Sequence, residues 1–72
     1  MTRANLRVRA CCPGGVTQHV TLPAREAHQL FVDLALAVDL DLLAWVDLEA
    51  RQVDLFGDAE WSTIRARPEM IF

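Results

Sequence analysis

The stretch LRVRACCPGGVTQHVTL, Leu6 to Leu22, decides the fold, because it carries two runs of strand periodicity around one turn signal. Ahead of Pro13-Gly14-Gly15, the apolar residues Leu6, Val8, Ala10 and Cys12 alternate with Arg7, Arg9 and Cys11. Beyond it, Val16, Gln18, Val20 and Leu22 alternate with Thr17, His19 and Thr21. A period of two is that of a half-buried strand. A one-residue slip in pairing moves every side chain to the other face, so loop length can be tested. A two-residue Gly14-Gly15 loop sets Val8 against Thr21 and Ala10 against His19, which mixes core with solvent. A three-residue loop pairs Cys12 with Val16, Ala10 with Gln18, Val8 with Val20 and Leu6 with Leu22 on one face. The other face then holds Cys11 with Thr17, Arg9 with His19 and Arg7 with Thr21. Pro13 presets the start of such a turn, and Gly15 takes a left-handed conformation without a steric penalty.

The same alternation settles how the two cysteines are read. Neighbouring residues on a strand point to opposite faces, so Cys12 is expected inward as a small core residue and Cys11 outward. A disulfide between adjacent residues requires a strained ring. The chain has no C-x-x-C with a second half, and His19 and His28 do not complete a metal-ligand spacing. A thiol or metal site at Cys11 and Cys12 is thus the alternative with only adjacency in its favour. No catalytic residues, metal or cofactor are expected, and Pro13-Gly14-Gly15 lacks the lysine and following helix of a phosphate loop.

From Thr21 to Leu40 the pattern becomes helical, with Thr21 as a cap and Pro23 in the first turn. Ala27, Leu30, Phe31, Leu34, Ala35 and Val38 recur at the spacing of one buried stripe. Val32, Leu36 and Leu40 form a second apolar line, to be covered by another element of the chain or by a partner subunit.

A second strand pair is expected next. Leu42, Ala44, Val46 and Leu48 alternate with Leu43, Trp45 and Asp47, and Val53 and Leu55 continue the apolar face after the Glu49 to Gln52 loop. Its register is open. A four-residue loop sets Asp47 opposite Asp54, a repulsive pair, while a two-residue Glu49-Ala50 loop lacks the glycine or asparagine of a primed turn. After Gly57, Asp58 is placed to cap a short helix from Ala59 to about Ala66, burying Trp61 and Ile64 until Pro68 stops it. The tail Met70-Ile71-Phe72 is apolar and either docks as a strand or reaches a neighbour. The expected fold is α+β: hairpin, helix, hairpin (ββαββ) with a short C-terminal helix, a mostly antiparallel sheet packed on one main helix.

The 72 residues are read as a single domain, residues 1 to 72, with 53% hydrophobic and 24% charged residues, too apolar for disorder and small enough for marginal stability. No signal core follows the arginines of Met1 to Arg9, and no apolar run has the length of a membrane span, so a cytoplasmic protein is expected.

Charge is distributed unevenly. Arg3, Arg7, Arg9 and Arg25 stand in the first 25 residues without any acid, whereas residues 26 to 60 hold nine acids against Arg51 alone. Such separation steers association. The basic hairpin face of Arg7, Arg9 and His19 is the candidate for nucleic-acid contact, but it lacks interleaved aromatics and the chain has a net charge of −3. The acidic half points to a partner protein with a basic surface. The candidate interface residues are Val32, Leu36, Leu40, Trp45, Asp47, Asp54, Met70 and Phe72, with a homodimer formed through part of them. The expected function is that of a small non-enzymatic protein-binding module, an inhibitor or accessory factor of the kind phages and plasmids encode.

Overall fold

The computed structural model describes residues 5–68, in the order β1 (Asn5–Cys11), β2 (Thr17–Pro23), α1 (Ala24–Asp39), β3 (Trp45–Val53), β4 (Ala59–Arg67). The strands form one antiparallel sheet in the order β2-β1-β3-β4, so the two hairpins are joined by β1 lying beside β3.

The first hairpin has the register that the alternation requires: Leu6 opposes Leu22, Val8 opposes Val20, Ala10 opposes Gln18 and Cys11 opposes Thr17. Its loop closes through Cys12 N–H to Val16 O at 2.9 Å and Gly15 N–H to Cys12 O at 2.9 Å, with Gly15 at φ 92°. That is the three-residue turn ending in a left-handed glycine.

α1 begins three residues later than the periodicity suggests. Thr21 belongs to β2, and Pro23 occupies the cap position without a side-chain hydrogen bond. Proline needs no N–H there, so the helix loses nothing by its presence. The helix ends in a Schellman arrangement: Leu42 N–H bonds Ala37 O, Asp41 N–H bonds Val38 O, and Asp41 sits at φ 62°.

The core lies between α1 and the two central strands. Ala27, Phe31 and Ala35 pack on Leu6, Val8, Val46 and Leu48, flanked by half-buried Leu22, Leu30, Leu34 and Val38. The stripe read from the sequence is therefore the stripe that packs.

Two sequence expectations are corrected in the second half of the chain. The strand expected from Leu42 starts at Trp45 and runs without interruption to Val53, so Glu49 to Gln52 are strand and not loop. The hairpin turns instead at Asp54 to Asp58, and the short helix expected from Ala59 to about Ala66 is strand, part of β4 (Ala59–Arg67). The helical spacing of Trp61 and Ile64 arises from a bulge: Leu48 opposes Arg65 and Glu49 opposes Thr63, which leaves Ile64 as the extra residue. With the turn moved outward, Asp47 opposes Ala66, and its clash with Asp54 never arises. No helix among the described residues is long and apolar enough to cross a membrane.

Candidate functional site

α1 covers one face of the sheet, and the other face is built from the alternate residues. β1 contributes Arg7, Arg9 and Cys11 to it, and β3 contributes Trp45, Asp47 and Glu49. In register, Arg7 opposes Glu49 and Arg9 opposes Asp47, so each arginine meets a carboxylate on the neighbouring strand.

The contacts are close. Arg9 donates from Nη2 to Asp47 Oδ2 at 2.6 Å and from Nε to Asp47 Oδ1 at 3.1 Å. Arg7 Nε donates to Glu49 Oε1 at 2.7 Å, and Arg9 Nε lies 3.0 Å from the same oxygen. Asp47 and Glu49 are buried, 6% and 4% exposed, although they stand on the face without a helix. The hydrogen bonds that Arg9 donates to Asp47 raise the pKa of its guanidinium above the ordinary value. Burial opposes that rise, and the charges of Asp47 and Glu49 add to it.

Aromatic rings complete the layer. The Arg7 guanidinium lies 4.4 Å from the centroid of Trp61, and that of Arg9 lies 5.6 Å from Trp45. On the opposite face Arg65 stacks 4.7 Å over Phe31, so an arginine also closes the end of the core beside β4. No buried side-chain polar atom among the described residues lacks a partner.

This network changes what Arg7, Arg9 and His19 can offer. All three share one face, with Arg9 directly opposite His19. Both guanidiniums, however, are committed to carboxylates and rings within the chain, while His19 is exposed. The excess of positive charge read from the first hairpin is neutralised where the strands meet.

The cysteines are placed the opposite way from the sequence expectation. Cys11 is buried and Cys12 exposed, and both are free thiols. β1 ends at Cys11, flanked in register by Thr17 and Trp45, and Cys11 Sγ lies 3.4 Å from Cys12 O. Cys12 does point to the helix side, but α1 packs over the middle of the sheet and leaves the turn end uncovered. Among the described residues no three of His, Cys, Asp and Glu gather where a metal could be held.

The residues expected at an interface do not form one patch. Val32, Leu36 and Leu40 line the outer side of α1 at 49%, 60% and 62% exposure, so among the described residues nothing covers this second stripe. Trp45 is half-buried on the far face of the sheet, and Asp47 is consumed by Arg9. Asp54 lies at the hairpin tip, whereas Met70 and Phe72 lie outside the described residues.

The tip carries residues that the sequence reading did not single out for function. Asp54 Oδ1 accepts from Phe56 N–H at 2.8 Å and Asp58 N–H at 2.9 Å, while Asp54 N–H bonds Asp58 O and Gly57 N–H bonds Asp54 O. This ordered turn holds Leu55 100% and Phe56 91% exposed. Asp54, Asp58 and Glu60 flank them along the chain, all exposed. The signal was available in D-L-F-G-D, Asp54 to Asp58: turn residues on both sides of two large apolar ones.

Comparison with known proteins finds no matching family model, no matching curated protein and no matching solved structure.

Proposed function

We propose that the protein is a non-enzymatic protein-binding module whose anchor is the β3-β4 hairpin tip. One observation carries the reading: Leu55 and Phe56 are almost wholly exposed on a turn that Asp54 holds in a fixed shape. A large apolar pair in water is costly for a folded chain and gains when it enters a partner's pocket. Ordering of the turn before binding lowers the entropy lost on docking.

The partner is a protein whose apolar pocket has a basic rim. Asp54, Asp58 and Glu60 supply the complementary charge, which favours fast encounter and correct orientation. The same carboxylates oppose an anionic membrane surface, where exposed apolar tips are instead flanked by lysine or arginine. An inhibitor or accessory factor fits such a module, since it acts by occupying another protein's site.

Photo-crosslinking tests the reading. A crosslinking residue in place of Phe56 should capture one partner from the source cell, and Leu55→Ser should abolish that capture. Capture that is unchanged by Leu55→Ser, or equally efficient from position 25 on α1, rules out the tip as anchor.

A further inference from the structure

The two edges of the sheet are not alike. β4 is guarded: it carries Glu60, Arg65 and Arg67 and contains a bulge, devices that discourage another strand from pairing. β2 carries such a device only at its last residue, Pro23; Thr17 to Leu22 holds no aspartate, glutamate, arginine or lysine and is exposed along most of its length.

The direction of its backbone groups follows from the first turn. Cys12 N–H donates to Val16 O, so Val16 points its backbone toward β1. In an antiparallel ladder the hydrogen-bonding pairs alternate. Gln18, Val20 and Leu22 therefore also face β1, whereas Thr17, His19 and Thr21 aim N–H and C=O away from the sheet. Ala44 N–H bonding Cys11 O on the β3 side shows the same alternation on β1, since Cys11 opposes Thr17.

This edge matches itself. With a two-fold axis at His19, Thr17 stands opposite the second copy's Thr21, and His19 opposite its own counterpart. On the helix side Gln18 meets Val20 and Val16 meets Leu22. No ion pair is broken and no like-charged carboxylates or guanidiniums are brought together, because Arg9 beside His19 is already held by Asp47. Pairing also acts on a second feature. An apolar cleft between α1 and this edge, lined by Ala10, Val20, Leu30, Leu34 and Leu43, opens on the same side. The pleat places both helices on one face of the joined sheet, so the two clefts face one another.

From these observations we infer that the protein forms a homodimer by antiparallel pairing of β2 with β2 of a second copy, centred on His19, giving one continuous sheet. The hairpin tips lie at the outer edges of that sheet, and the dimer presents both of them at once.

Sedimentation of the whole chain over a wide range of concentrations tests this. The wild type should pass from monomer to dimer. His19→Pro removes an N–H that the β1 pairing does not use and should raise the dimer dissociation constant roughly tenfold or more, since one ladder bond is lost from each copy. His19→Lys, which sets like charges across the axis and leaves the backbone intact, should act in the same direction with an unchanged circular dichroism spectrum. Leu36→Lys on α1 should leave the dimer intact. A wild type that stays monomeric at millimolar concentration overturns the inference. So does a dimer that survives His19→Lys, or one that Leu36→Lys dissociates.

Discussion

Arg9 and Asp47 meet across β1 and β3 in direct register, with Nη2 to Oδ2 at 2.6 Å and Nε to Oδ1 at 3.1 Å. The carboxylate is buried and the guanidinium is only partly so. The pair therefore stabilises the sheet less by its own strength than by preventing an unpartnered charge in the central strand. Arg9→Met should destabilise the fold by about 1–3 kcal/mol, measured by urea unfolding. The double substitution Arg9→Met with Asp47→Leu should recover much of that loss. A double-mutant cycle with coupling below about 0.5 kcal/mol would show that the two residues act independently.

The raised pKa of Arg9 fixes the sign of its pH response. A group held charged by the fold contributes stability below its ordinary pKa and loses that contribution only as pH rises through the folded value. For a guanidinium the loss falls in strong alkali. Between pH 5 and 9 a titration of stability should look the same in the wild type and in Arg9→Lys, apart from a constant offset. A new inflection in that window would show that Arg9 is coupled to a titrating neighbour.

Thiol labelling separates the two cysteines. In the folded protein a maleimide should modify Cys12 rapidly and Cys11 only on a slow, unfolding-limited timescale. Mass spectrometry of the partly labelled chain should find the adduct on Cys12, and Cys12→Ser should abolish the rapid phase.

That order reverses the expectation from strand alternation, and the reason shows where sequence legibility ends. Alternation correctly gave the faces of β1, β2 and α1, because Pro13-Gly14-Gly15 fixed the register and one helix stripe fixed the core. It could not say how far α1 reaches over the sheet, and Cys12 lies beyond that reach. Nor could it find that Arg7 and Arg9 oppose Glu49 and Asp47, since pairing of β1 with β3 joins residues 38 and 42 positions apart. In β4 the bulge at Ile64 disguised a strand as a helix turn. The hairpin tip is legible in its turn residues, but the alternation of Leu42 to Leu48 points to a turn earlier in the chain, at Glu49 to Gln52.

Asp41 occupies the left-handed position that closes α1, at φ 62°, where glycine is the usual residue. It also adds negative charge at the negative end of the helix, whose last turn has no basic residue. Asp41→Gly should therefore stabilise the fold by about 0.5–1 kcal/mol, a rise in Tm of roughly 2–8 °C for a domain of this size. Scanning calorimetry checks it, and a fall in Tm would mean that the aspartate has a local partner worth more than the strain.

The hairpin tip separates binding from stability. Leu55→Ser and Phe56→Ser alter side chains that touch almost nothing in the chain, so each should change unfolding free energy by no more than about 0.5 kcal/mol. Asp54→Ala removes the acceptor for two backbone N–H groups and should cost about 1 kcal/mol. Gly57→Ala, at φ 83°, should cost about 1–2 kcal/mol. If the tip is an anchor, the four variants divide by mechanism. The two serine variants lose partner capture while the fold is intact, whereas Asp54→Ala and Gly57→Ala weaken capture by loosening a turn that still displays the same side chains. Hydrogen exchange at Phe56 and Asp58 distinguishes the cases, because it should accelerate in Asp54→Ala and Gly57→Ala and stay unchanged in Leu55→Ser.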